Sequence, residues 1–172
     1  IFAAGFTTTS LSVAGTLTLG GAISTATLSI NGTIDTGGST LTVTSDLSGS
    51  GIIQGSSGTL DASGATSASI GSLGISGTAL GTYVPKSGGT TTLTGDWNVG
   101  SYTANGDTVV FAGSSTSTIR SDTTFYNLTQ SSGTIAHGSS TITVNNTLAL
   151  SGGTFTQGTG AITLKGASNT IS

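Results

Sequence analysis

Six aspartates, one histidine and four amphipathic aromatic rings are the side chains of this 172-residue sequence best equipped for catalysis or selective binding. Two carboxylates held about 5 to 9.5 Å apart would serve glycoside hydrolysis. Asp35, Asp61, Asp107 and Asp122, however, lie scattered in turn-like sequence rich in Thr, Ser and Gly, which reads as solvated turn carboxylates. Asp96 and Asp107, which bracket Asn105-Gly106, are the pair best placed for such a role. His137 is the only histidine, so a histidine metal cluster is excluded and a Ser-His-Asp triad would depend on this one ring. Gln157 stands at its repeat-equivalent position, which predicts an exposed turn residue. There is no cysteine, hence neither disulfide nor thiolate metal site, and the Gly-Gly-x-Gly-x-Asp series of calcium-binding rolls is not spelled out. No catalytic, cofactor-binding or metal residue is expected, and no cofactor.

Tyr83, Trp97, Tyr102 and Tyr126 carry both a ring and a polar tip, suited to stacking on a sugar or a partner surface, or to plugging the end of a stacked fold. Ile1, Phe2 and Phe6, in the opening IFAAGF, read as a first strand or as a strand docked into a neighbouring copy. Ile1, Phe2, Phe6, Tyr83, Trp97 and Tyr102 are therefore the candidate assembly or surface contacts. Asn31-Gly32-Thr33, Asn127-Leu128-Thr129 and Asn145-Asn146-Thr147 fit the glycosylation triplet, but a chain rich in Thr and Asn generates it by chance. Asn127 instead suits an asparagine ladder between stacked coils.

The elements that would carry these residues are β. Charged residues make up 5% of the chain and hydrophobic ones 34%, with a single proline and 29 glycines. An ordinary soluble domain carries about a quarter charged residues. Leu, Ile, Val and Phe are spaced singly between Thr and Ser, which argues for ordered strands with Gly/Ser turns over disorder. Three cations and a net charge of -3 argue against nucleic acid as a partner. No apolar run approaches a membrane span.

Sliding the chain by 20 residues aligns SSGTIAHGSSTITV (131–144) with SGGTFTQGTGAITL (151–164), six of fourteen positions being identical. Ile135 falls on Phe155, Ile142 on Ile162, Val144 on Leu164 and, further back, Leu128 on Leu148. The period predicts an all-β fold with a three-sided β-solenoid of about 20 residues per coil in the C-terminal part. Gly15–Leu19, Leu28–Ile30 and Thr40–Val43 also read as strands. Their spacings of 11 and 13 leave a less regular solenoid and a β-sandwich both open for the N-terminal part. The small-residue stretch from Leu60 to Leu80 predicts a boundary or crossing loop. Val99–Ala104 and Asp107–Phe111 around Asn105-Gly106 predict a type I′ hairpin. The expected organisation is a β module over 1–80, a connector over 81–106 and a repeat module over 107–172.

Tyr83 to Thr103, YVPKSGGTTTLTGDWNVGSYT, resembles a recurring motif of phage tail-fibre and collar-like proteins. Pro85-Lys86-Ser87-Gly88-Gly89-Thr90 and Thr94-Gly95-Asp96 carry the resemblance, and two extra threonines in Gly89-Thr90-Thr91-Thr92-Leu93 depart from it. It implies a short connector between shaft modules of trimeric fibres. Asp107 to Ser172, with Phe125-Tyr126-Asn127-Leu128-Thr129, is similar to the β-strand repeats of bacterial adhesin-like surface proteins. Both resemblances imply extracellular or cell-surface fibres. The expected function is a non-enzymatic structural segment of such a fibre, partnered by copies of itself, with a trimeric tail-fibre shaft and a glycan-binding solenoid as alternatives.

Overall fold

Alternation of Thr or Ser with Ile, Leu or Val puts one side of each segment in water and the other against its neighbours, the pattern of a half-buried strand. A computed structural model describes residues 5–166 and 168–171 and realises this pattern in nineteen strands, with no helix among them. All named strand pairs are parallel. The chain winds as a β-solenoid of about nine coils with some 19 residues each. An expected rise of about 4.8 Å per coil makes the stack about 43 Å long.

Three ladders form the sides. One consists of β1 (Phe6–Val13), β3 (Ile23–Ile30), β5 (Thr40–Gly49), β7 (Ser67–Ile70), β10 (Thr90–Leu93), β12 (Thr108–Phe111), β14 (Thr123–Gln130), β16 (Ile142–Leu150) and β19 (Ser168–Ile171), each hydrogen-bonded to the next. A second starts with β2 (Thr16–Thr18), β4 (Thr33–Asp35), the first residues of β6 (Ile52–Asp61) and β8 (Ser72–Leu73). It continues through single bridges at Trp97 and Ile119 to β13 (Thr116–Ile119), β15 (Thr134–His137) and β17 (Thr154–Gln157). The third is made by the early residues of β3 and β5, the end of β6, β9 (Leu80–Val84) and β11 (Val99–Tyr102), then by the early residues of β14 and β16 and by β18 (Ile162–Leu164). The long strands β3, β5, β14 and β16 thus turn a corner from one side to another, with a register shift beside Thr27 and again beside Asn127.

The predicted 20-residue offset is seen directly. Ile135 pairs with Phe155, Ile142 with Ile162, Val144 with Leu164 and Leu128 with Leu148. The N-terminal part is the same solenoid, not a sandwich of hairpins. Leu17, Leu28 and Leu41 sit on three different sides, so spacing between them carries no period. Within a ladder the register is regular: Leu28 pairs with Leu47 and Leu41 with Leu60, 19 residues apart in each case.

Two further expectations are corrected. The Leu60 to Leu80 stretch is not a crossing loop: Ala62, Ala65, Ala68, Ile70 and Leu73 are buried in the common core. β7 pairs with both β5 and β10, and the ladder runs on from β10 to β12 through the expected boundaries at 80/81 and 106/107. Nor is there a hairpin at Asn105-Gly106. β11 pairs with β9, and β12 with β10 and β14, so the dipeptide is a corner between two sides. Gly106 has φ 73°, but among the described residues no non-glycine residue has positive φ, which rules out the two left-handed residues a type I′ turn requires at Asn105-Gly106.

Stacking brings corner backbones into contact, which only glycine allows at several places. At Gly49 (φ 125°) a Cβ would collide with the Ile30 carbonyl, and at Gly32 with that of Gly15. Polar rungs join the coils as well. Asn146 Nδ2 donates to Asn127 Oδ1 at 2.8 Å, and Asn127 Nδ2 to the Asp107 carbonyl at 3.3 Å, which forms the expected asparagine ladder in short form.

Candidate functional site

Tyr83, Trp97, Tyr102 and Asp107 converge in the middle of the stack, where the coils change size. Register offsets are 18 between Thr91 and Val109, but 23 between Ile70 and Leu93 and 24 between Leu73 and Trp97. The extra length encloses a cluster of rings. Tyr83 and Tyr102 lie parallel with centroids 6.2 Å apart, Trp97 meets Tyr102 edge-on at 5.0 Å, and Phe125 lies 5.1 Å from Trp97. Small residues, Ala62, Ala65 and Ala68, are buried in the same core, and Thr91 meets the Tyr83 hydroxyl.

Every polar tip in the cluster has a partner. Trp97 Nε1–H donates to Thr123 Oγ1 at 2.9 Å, and the Tyr83 hydroxyl shares a 2.6 Å hydrogen bond with Thr91 Oγ1. Tyr102 donates to Asp107 Oδ2 at 2.6 Å, and Asp107 Oδ1 accepts the Asn105 N–H at 2.9 Å. Burial raises the Tyr83 phenol to about 12, an increase opposed by the Thr91 hydrogen bond and assisted by the Asp107 charge. Burial also raises Tyr102, helped by its hydrogen bond to Asp107.

These placements revise the sequence reading. Trp97 and Tyr83 are 0% and 1% exposed and Tyr102 is partly buried, so the rings neither plug an end nor offer a platform for a sugar. The proposed contact role fails for Tyr83 and Trp97 because inward alternation in an enlarged coil gives these rings apolar surroundings. Phe6, in contrast, is 38% exposed on β1. Ile1 and Phe2 lie outside the described residues.

Asp107 is fully buried, not a solvated turn carboxylate. Its alternation with Val109 and Phe111 along one strand face turns it inward. Asp96 instead forms an ion pair with Arg120 at 2.8 Å and accepts the Thr118 N–H at 2.8 Å. One carboxylate of the pair is thus closed to solvent and the other is committed to Arg120.

His137 is likewise buried, its ring turned inward with Ile135 on β15. Its Nε2 hydrogen-bonds the Ser140 carbonyl, while Nδ1 has no partner among the described residues. Gln157 does stack on it, as the repeat predicts, but is exposed because it belongs to the last described coil of that side. Among the described residues no group of three or more His, Asp or Glu side chains is placed to hold a metal. No helix there is long and apolar enough to cross a membrane.

Two open grooves mark the outer surface. One, about 480 Å³, runs between Thr66–Ser69 and the Lys86–Gly89 turn. The other, about 330 Å³, lies beside Asn98, Arg120 and Ser139. Sequence reasoning identified neither, since each depends on how far a turn projects from a coil. Comparison with protein-family models, with curated proteins and with solved structures finds no match to the chain.

Proposed function

We propose that the chain is a non-enzymatic, rigid segment of an extracellular fibre, and that copies associate by continuing the coil stack end to end. The observation that supports this reading is the unbroken ladder of nine parallel strands from β1 to β19, whose first and last members among the described strands each pair on one side only. Among the described strands, β2 at one end and β17 and β18 at the other each have a neighbour on one side only. Apolar side chains accompany these edges: Leu17 is only partly buried at the first, as is Phe155 at the last, where Leu164 is 42% exposed. Soluble proteins commonly protect such edges with charge, and this chain has nine charged residues in all. In a polymer the same edge is an assembly surface, a head-to-tail contact that extends without closing.

Negative-stain microscopy of the purified chain over a range of concentrations tests the proposal. The expected result is thin filaments with an axial repeat of about 43 Å, the height of nine coils. Dispersed monomers at every concentration would overturn it. A shaft of three chains side by side is the second reading, supported by the tail-fibre-like motif of Tyr83 to Thr103. A native mass of three chains without filaments selects it.

A further inference from the structure

The chain contains two Asn-Gly dipeptides, Asn31-Gly32 and Asn105-Gly106, and the fold treats them oppositely. Asparagine followed by glycine is the dipeptide most prone to intramolecular cyclisation, because glycine leaves its own amide nitrogen unshielded. The reaction needs that nitrogen free and room for it to approach the asparagine Cγ.

At Asn31-Gly32 neither condition holds. The Gly32 N–H donates to the Val13 carbonyl at 3.1 Å, and the Asn31 N–H bonds the same oxygen at 2.9 Å. The Asn31 carboxamide accepts from Ser50 Oγ at 3.5 Å, and the glycine sits so close to the Gly15 carbonyl that a Cβ would collide with it. At Asn105-Gly106 both residues are exposed, a Cβ on Gly106 would meet nothing closer than the Gly88 backbone at ordinary contact distance, and neither its N–H nor the Asn105 carboxamide has a hydrogen-bond partner among the described residues. The backbone of Asn105 is nevertheless held at both ends: its N–H by Asp107 Oδ1, and its carbonyl by the Gly88 N–H at 3.0 Å and Ser87 Oγ at 3.3 Å. The corner is fixed while the reacting groups stay free.

We propose that Asn105 is a site of spontaneous, age-dependent modification. The Gly106 nitrogen attacks Asn105 Cγ, a C–N bond forms, and the Cγ–Nδ2 bond breaks. Nδ2 leaves as ammonia, carrying the proton from the glycine nitrogen. Water then opens the succinimide at either carbonyl to give aspartate or isoaspartate. Each product adds a carboxylate next to the buried carboxylate of Asp107. Isoaspartate also inserts a carbon into the main chain where Asn105 is anchored to the Ser87–Gly88 turn. The inference does not depend on the fibre reading, because it concerns a monomer's own corner.

The test is to incubate the folded chain in mildly alkaline buffer at physiological temperature, then unfold it and digest it with trypsin. Cleavage after Lys86 and Arg120 places Asn31 in peptide 1–86 and Asn105 in peptide 87–120. The expected result is conversion of the 87–120 peptide into two products, each heavier by one amide-to-acid exchange. Conversion at Asn31 should be at least about tenfold slower, since Gly32 must first open from the stack. Fragment spectra place the change at Asn105 rather than Asn98, and Asn105→Gln stops it. In the urea-unfolded chain the two dipeptides should react at similar rates. Equal rates in the folded chain, faster reaction at Asn31, or no reaction at Asn105 would each overturn the assignment.

Discussion

Replacing Tyr102 with phenylalanine removes one oxygen and leaves one of the two oxygens of a buried carboxylate without its partner. The ring remains, so its stacking on Tyr83 and its edge-on contact with Trp97 are kept. What is lost is the 2.6 Å hydrogen bond to Asp107 Oδ2, the only one that oxygen receives among the described residues. Asp107 is 0% exposed, so the loss falls on a buried carboxylate. A hydrogen bond to a charged group contributes about 1.5 to 3 kcal/mol, and the partially exposed Tyr102 points to the middle of that range, about 2 kcal/mol. With a urea m-value of about 2 kcal/mol/M, the midpoint should fall by about 1 M. Trp97, the single tryptophan, reports on this part of the stack through its own fluorescence. The Asp107→Asn variant alone and with Tyr102→Phe completes a double-mutant cycle, in which the two effects should fall short of additivity by about 1 kcal/mol or more. A midpoint for Tyr102→Phe within about 0.2 M of wild type, or full additivity in the cycle, would refute the buried pairing.

The raised phenols make stability depend on pH at the alkaline end. A tyrosine ionises near 10 when unfolded, and Tyr83 only at about 12 when folded, so the folded state binds more protons in between. The associated stability is fully present below pH 10 and is lost as pH rises through 12; phenolate absorbance from Tyr83 that precedes loss of the β circular-dichroism signal would contradict this. Gly49→Ala should cost about 2 kcal/mol or more because of its positive φ and the Ile30 carbonyl. Gly138→Ala, with open space around the Cα, should stay within about 0.5 kcal/mol in the same thermal melts. Arg120→Ala should cost no more than about 1 kcal/mol, as expected for a pair whose arginine is 33% exposed. Asp96→Ala should cost more in chemical denaturation, since it also strips the Thr118 N–H of its acceptor.

The C-terminal coils were legible because their apolar positions recur at a nearly constant interval on each side. Leu128 and Leu148, or Ile142 and Ile162, could be paired from the sequence alone and are paired in the fold. In the N-terminal part the good strands met in succession belong to different sides, so comparing neighbours in sequence concealed the 19-residue register. The middle resisted for another reason. A coil that grows by several residues to enclose Trp97 breaks any fixed offset, and the small residues Ala62, Ala65 and Ala68 look like linker when they are in fact buried in the core. The burial of His137 is not legible from its equivalent: Gln157 pairs with it in register, but its coil is the last described on that side and leaves it in solvent. Asp107 did carry a usable signal, its alternation with Val109 and Phe111.

The ladder register has a consequence for how such a protein changes over generations. Each coil touches little beyond the coils immediately before and after it, so a tandem duplication of about 19 residues inserts a unit whose two faces already match their new neighbours. Reach would then vary in steps of about 4.8 Å by recombination within the gene. The enlarged coils around Trp97 are the exception. A copy of that segment would need its own enlarged neighbours, so length variation should accumulate in the regular coils on either side of the ring cluster and spare the cluster itself.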